Sequence, residues 1–364
     1  MHGPHSRQNV IPFPAAAIVR PPSPRPPAGR PPIRWRLVVC AAIAGVGVLA
    51  LGLLGAGCWV AHRASSRIVR IPDAFRIPAA LRPAHAAARS VNVLVAGLDG
   101  EGRVGFARGA RSDAILVLHL DADRKKLWVV SIPRDLWVAI PGRHANKVNA
   151  AYSIGGPALF VETVETLTHL RMDHLVVVDW TGLRRMTDAV GGVPINVLPP
   201  GHAAGAWGDE VRRDVAGEVA LQMSGDVVLP YVSERKHLPA GDLDRVQRQQ
   251  NFLRAFVRQA LDRDLLGDPM QLRALAETIG DAVRVDSALT ASEMLSLAAS
   301  LRHLQPRDIT FLTAPSLGSA TRGAASVVLD DNATASELWH AMAADRMPGF
   351  VAGHASLVTA ARVR

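Results

Sequence analysis

From Leu37 to Ala61 the chain carries no charge, and Leu, Val, Ile, Ala and Gly dominate. As a helix this run would be roughly 37 Å long at ~1.5 Å per residue, enough to cross a hydrocarbon core of about 30 Å. Six Arg precede it and three follow closely, so the positive-inside rule sets the N-terminus in the cytoplasm and everything after the run outside. A cleaved signal peptide would have a shorter apolar stretch. Ala56-Gly57-Cys58 offers the alternative of a lipoprotein-like cleavage. The expectation is an uncleaved single-pass anchor in the cell membrane, with the folded part extracytoplasmic.

The net charge of +9 invites a nucleic-acid role until its distribution is examined. Before Asp73 there are nine Arg and no acidic residue. Taking these nine from the 41 Lys and Arg leaves 32 basic residues against 32 acidic ones. The basicity belongs to the membrane flanks, and a DNA-binding role is excluded. The two cysteines, Cys40 and Cys58, both lie in the apolar run, which leaves the remainder without a disulfide or a Cys-based metal site.

Residues 1–36 are rich in Pro and Arg and cannot form a packed core. They are expected to be a cytoplasmic tail, followed by the span at 37–61, a juxtamembrane linker at 62–90, a domain at 91–345 and a tail at 346–364. Strands are predicted over Val91–Gly97, Ala114–Leu120, Leu127–Ile132, His174–Trp180, Val193–Val197 and Asp308–Leu312. Helices are predicted over Pro157–Leu170, Thr181–Ala189, Asp242–Leu265, Gln271–Gly280, Ala291–Leu301 and Ala333–Ala344. Strands and helices interleave, so the fold class is a single α/β/α domain with a central mixed sheet covered by helices on both faces.

Charged residues cluster at strand ends, where open α/β sheets bind ligands. Arg111-Ser112-Asp113 precedes one predicted strand, Pro133-Arg134-Asp135 follows another, and Asp99 ends the first. On the long helix Arg245, Arg248 and Gln249 share one side, at i, i+3 and i+4. Such a stripe is most often a solvated face. Guanidinium groups gathered around carboxylates also fit a diphosphate, which Arg chelates bidentately and Mg²⁺ bridges. There is no Walker loop, no Gly-x-Ser-x-Gly elbow and no His-Glu-x-x-His helix. His119 falls in a buried strand pattern and is expected to be a satisfied core residue; His144 and His174 are expected in a loop and at a strand start.

A series of motifs runs in order along the chain: Arg111-Ser112-Asp113, Ile132-Pro133-Arg134-Asp135, Lys147-Val148-Asn149-Ala150-Ala151-Tyr152, Gly155-Gly156-Pro157, Val178-Asp179-Trp180-Thr181-Gly182 and Asp188-Ala189-Val190-Gly191-Gly192-Val193. It ends on Gly241-Asp242-Leu243-Asp244-Arg245-Val246-Gln247-Arg248-Gln249-Gln250. Together they resemble the LytR-CpsA-Psr family of bacterial cell-wall enzymes, in its actinobacterial form. The resemblance implies transfer of a glycopolymer, such as teichoic acid or arabinogalactan, from a polyprenyl-diphosphate carrier to peptidoglycan. It implies Mg²⁺ on Asp99 and Asp113, and a diphosphate held by Arg111, Arg134, Lys147, Arg235, Arg245, Arg248 and Gln249. Arg111, Arg134, Asp113 and Arg235 would act in catalysis, with Asp135, Asn149 and Tyr231 shaping the site.

The sequence departs from the family's Tyr-x-Arg-x-Arg pattern, because Ser233 stands at the first Arg in Tyr231-Val232-Ser233-Glu234-Arg235. Pro230 replaces a small residue and Ala114 a Thr. A lost charge-assisted contact costs roughly 1.5–3 kcal/mol. A lipid-diphosphate-binding or scaffold protein of the same fold, and a polyprenyl-diphosphate pyrophosphohydrolase, therefore stand beside the transferase as alternatives.

Overall fold

The computed structural model describes residues 68–85, 89–98, 111–197, 212–215, 218–233, 238, 242–262, 283–301 and 304–360. The expected span at 37–61, the tail before it and the predicted helix Gln271–Gly280 lie outside the described residues. Among the described residues no helix is long and apolar enough to cross a membrane.

The first strands are β1 (Val69–Ile71), β2 (Val91–Leu98), β3 (Ser112–Leu120), β4 (Leu127–Ser131), β5 (Trp137–Val138) and β6 (Asn146–Lys147). Helix α1 (Ala150–Thr168), β7 (His174–Asp179), α2 (Trp180–Ala189), β8 (Val193–Val197), β9 (Arg212–Val215) and β10 (Glu218–Met223) follow. After α3 (Gly225–Ser233) and α4 (Asp242–Asp262) come β11 (Val283–Asp286), α5 (Ala291–Leu301) and β12 (Ile309–Thr313). The last elements are β13 (Ser316–Arg322), β14 (Ala325–Asp330), α6 (Asn332–Ala343) and α7 (Met347–Gly353).

Seven strands form one mixed sheet in the order β1-β11-β7-β2-β3-β4-β12. Strand β2 alternates in burial, with Asn92, Leu94, Ala96 and Leu98 buried and their neighbours partly exposed, whereas β4 is buried from Trp128 to Ser131. Leu94, Ala96, Ile115 and Val117 pack against Phe160, Val161 and Val164 of α1 and Leu338, Trp339 and Met342 of α6. That face is closed. Over the other stand α2 and α4, which leave a cavity between themselves and the strands.

The sheet takes in more chain than the predicted domain. Segment 62–90, expected to be a linker, contributes β1, which runs parallel to β11, and buries Ile71, Ala74 and Ile77 in the main core. Arg82 then anchors on Glu165 through Nη2–Oε1 at 2.6 Å, both side chains being largely buried. At the other end, residues 346–364 were expected to be a tail, yet Met347 and Phe350 of α7 join the core. Thr359 N donates to Phe311 O at 2.9 Å.

Two other expectations shift. The strand Val193–Val197 forms, but in a separate three-stranded sheet, β8-β10-β9. The helix predicted from Pro157 begins at Ala150 and breaks at Gly156, whose φ of 68° and ψ of −160° suit only glycine. Pro157 opens the second half, where a missing N–H costs nothing. Helix α2 stops at Gly191 and Gly192, both at positive φ, as their pairing in the sequence predicts.

Candidate functional site

The register of β3 and β4 builds the site. It pairs Leu116 with Ser131, and carried three residues further it sets Arg134 opposite Asp113 at one sheet edge. Arg134 Nη1 donates to Asp113 Oδ1. Arg245, near the start of α4, donates from Nη2 to the main-chain oxygen of Asp113 at 3.2 Å, and its Nη1 lies 3.6 Å from Asp113 Oδ2. On the far side Arg134 Nε is 3.8 Å from Asp135 Oδ2, and Lys147 Nζ is 2.9 Å from Asp135 Oδ1. Asn149 N donates to Arg134 O at 3.2 Å, which fixes the turn carrying the guanidinium. Three cations and two carboxylates thus form one continuous chain, Lys147–Asp135–Arg134–Asp113–Arg245.

These groups differ in access. The Arg245 side chain is 2% exposed, Arg134 12% and Lys147 26%. The Arg245 and Arg248 stripe is therefore an inward face and not a solvated one. Arg248 lies 5.2 Å from the centre of the Tyr231 ring, and Tyr231 Oη accepts from Asn251 Nδ2 at 3.1 Å. Burial pushes the Tyr231 phenol up to about 12, so it stays protonated and cannot serve as a general base. Arg111 is exposed, just ahead of β3. Asp99 and Arg235, both expected in the site, lie outside the described residues.

Among the described residues no three His, Cys, Asp or Glu gather as a metal cluster. Mg²⁺ needs fewer protein ligands, because it takes one or two carboxylates together with substrate phosphates. Asp113 fits that demand. One of its oxygens is hydrogen-bonded to Arg134, and the other sits at ion-pair distance from Arg245, which leaves it lone pairs for a cation.

Beside the charged chain opens the cavity under α2 and α4, of about 270 Å³. Val95, Leu116, Val176, Met186, Phe252 and Phe256 make it apolar. Ala114 and Gln249 also line it, and these are chain neighbours of Asp113 and Arg248. The cavity and the guanidinium cluster are thus built on adjoining residues of β3 and α4, with no Arg in the cavity lining. Gln249 does not extend into the cluster; its Nε2 donates to Val232 O at 3.2 Å and ties α4 to α3.

The last residue of the motif series, to which the sequence assigns no role, is a buried polar anchor. Gln250 donates to Ser131 Oγ at 2.5 Å and to Leu312 O at 2.7 Å, and accepts from the Thr359 hydroxyl. A long-chain amide within a helical stripe of Arg and Gln gives no signal of burial, since its partners come from three distant segments.

The model of the LytR_cpsA_psr family matches residues 70–344. The probable cell wall biosynthesis protein LcpB of Corynebacterium glutamicum is 32% identical over 232 residues, 64% of this chain and 53% of that protein. The polyisoprenyl-teichoic acid–peptidoglycan teichoic acid transferase TagU of Halalkalibacterium halodurans is 29% identical, over 54% of this chain and 61% of its own. The chain spans about half the length of the curated relatives it matches. The crystal structure of B. subtilis TagV shares the fold, with a TM-score of 0.54 at 23% identity over 71% of this chain and 98% of that one.

Proposed function

The chain belongs to the LytR_cpsA_psr family, and from that premise we propose that it transfers a glycopolymer, as sugar phosphate, from a polyprenyl-diphosphate carrier to peptidoglycan. A muramic acid hydroxyl attacks the sugar-linked phosphorus, forming a phosphodiester; the bond from that phosphorus to polyprenyl phosphate breaks, and the hydroxyl proton passes to solvent or to the released phosphate. One observation carries this reading: the strand β3 and helix α4 that wall an apolar cavity also carry, at the adjoining residues, a set of largely buried guanidinium groups on Asp113. A molecule that is lipid at one end and diphosphate at the next matches that sequence of surfaces. The teichoic acid transfer named for TagU is of the same kind.

Phosphoryl transfer through a loose transition state asks mainly for positioning and for charge stabilisation on the phosphoryl oxygens. Arg134 and Arg245 supply both, already oriented by Asp113, so little reorganisation remains when charge develops. Asp135 and Lys147 brace Arg134 from behind, and Arg111, exposed just ahead of β3, would add a further charge to the diphosphate. Mg²⁺ held by Asp113, with Asp99 as a second carboxylate, would neutralise part of the diphosphate charge. The run Leu37–Ala61 would confine the protein to the membrane that holds its lipid substrate, raising their local concentration.

The test uses the full chain in detergent with a short-chain lipid-linked glycan diphosphate, peptidoglycan fragments and Mg²⁺. The expected product is the acceptor-linked phosphodiester, and Arg134→Ala is expected to lower its rate by about 10²–10³-fold, as for loss of an oxyanion donor. Free sugar phosphate without acceptor-linked product would instead identify a hydrolase, and binding without turnover a scaffold. An Arg134→Ala rate equal to wild type would end the proposal.

A further inference from the structure

A second cleft, of about 470 Å³, opens between the end of α1, the strand β5 and the hairpin β13–β14. Unlike the cavity under α4, its walls are mixed. Trp137 is partly exposed, Leu317 stands 70% exposed, and Arg322, Asp330, Asn332 and His169 supply polar groups. The side chains of Arg322, Asp330 and Asn332 make no hydrogen bond or ion pair with other described residues. The neighbouring Asp331 spends its carboxylate on capping α6, through Thr334, which leaves Asp330 to the cleft.

The cleft is tied to the charged chain. Trp137 follows Arg134 by three residues, and in the two-stranded ladder it lies directly opposite Lys147. Residues paired in this way project to one face, and Lys147 holds Asp135 beside Arg134. The hairpin is fastened to the same segment by Val328 N donating to Asp135 O at 2.8 Å. A molecule seated on Trp137 would therefore lie along the strand that leads to the guanidinium cluster, on a wall distinct from the apolar cavity.

We propose that this cleft is a saccharide subsite, in which Trp137 packs on a sugar ring and Arg322, Asp330 and Asn332 hold its hydroxyl, acetamido or carboxylate groups. An amphipathic aromatic platform ringed by a few convergent polar side chains suits a ligand with apolar C–H faces and polar edges. The proposal rests on the transfer reading only for the source of the sugar, which is the peptidoglycan acceptor or the glycan of the donor.

Binding of two probes to the full chain in detergent, by titration calorimetry, tests it: a peptidoglycan-type N-acetylglucosamine–N-acetylmuramic acid tetrasaccharide and a neutral arabinogalactan oligosaccharide. At least one is expected to bind saturably, and Trp137→Ala and Arg322→Ala are each expected to weaken it by about tenfold or more. Arg322 is exposed, so its variant carries the test should Trp137→Ala fail to fold. Preference for the tetrasaccharide with a raised acceptor KM identifies the acceptor as the source; preference for arabinogalactan with a raised donor KM identifies the donor. Binding of neither probe, or equal binding by Arg322→Ala and wild type, overturns the subsite. Sugar binding that is sensitive to Arg322 without any transfer would uphold the cleft and sink the transferase. Transfer with both KM values unmoved would do the reverse.

Discussion

Arg245 shows what a single side chain here must satisfy. A guanidinium that is 2% exposed carries a large desolvation cost unless it is paired, and Asp113 meets that need through both its carboxylate and its main-chain oxygen. The spacing of Arg245, Arg248 and Gln249 was legible as one helix side, but helical periodicity alone does not say whether a polar side faces water. Ser233 is the converse case, an exposed residue whose hydroxyl turns back to Leu229 O at 2.7 Å on its own helix. It is exposed among the described residues, so none of them blocks a longer side chain there. Ser233→Arg, restoring the family residue, is expected to tighten binding of a lipid diphosphate by about ten- to a hundredfold, from roughly 1.5–3 kcal/mol of charge-assisted bonding. Calorimetric titration against a short-chain prenyl diphosphate measures it, and an unchanged Kd would show that α3 does not face the ligand.

The elements with strong local patterns were readable: β2, β3, β4 and α4 follow apolar runs whose period is set by their own residues. The pairing of Arg134 with Asp113 follows from that legibility, because the polar turn at 121–126, closed by Asp121 N donating to Lys126 O at 3.2 Å, joins β3 to β4 as antiparallel neighbours. What was not readable depended on distant partners. β1 has only three residues and is followed by prolines, and its one ladder partner, β11, lies more than two hundred residues away. The junction of β11 and β7 turns on Asp286, which accepts from Leu175, Ala288 and Leu289 main-chain N–H groups at 2.8–3.0 Å and faces His174 Nδ1 at 3.3 Å. Burial acts against both charges, but the bond and charge of the partner outweigh it, so His174 is raised above 6.5 and Asp286 is held below 3.8. A raised His stabilises the fold below its unfolded pKa and loses that contribution as pH climbs through the folded value. A depressed Asp does so above its unfolded pKa and loses it as pH falls through the folded value. Stability from the pair is thus fullest between the two, and erodes on either side. Asp286→Asn is expected to cost about 1–3 kcal/mol for each main-chain donor left unsatisfied and to abolish the fall in Tm between pH 6 and 8 that His174 contributes. Thermal melts across that range, in wild type and variant, check both statements.

At the scale of the whole molecule, the last described residues hold the site together without touching it. Arg254, on α4, donates to Ala360 O at 2.6 Å and Thr359 O at 2.9 Å, and Gln250, one turn earlier, takes the Thr359 hydroxyl. Val358 forms a bridge to Leu312 on the sheet's edge strand. The segment therefore clamps α4 to β12, and α4 is the helix that presents Arg245 and Arg248 to Asp113 and Tyr231. Removing residues 347–364 deletes α7 and this clamp together. The two hydrogen bonds from Arg254 alone, each net about 1.5–3 kcal/mol, set a destabilisation of at least roughly 3–6 kcal/mol, to which loss of the buried Met347 and Phe350 adds. At about 2–4 °C per kcal/mol that is a fall in Tm large enough to resolve by calorimetry. The more telling quantity is the split in kinetics. If the clamp sets the angle of α4, truncation lowers kcat for transfer well below the folding midpoint, where the protein is still native by circular dichroism, because guanidinium groups aimed at a developing charge lose effect with small displacements. A truncated protein that melts earlier but keeps its full kcat at low temperature would show that the sheet alone positions Arg245, and that the C-terminal segment serves stability only.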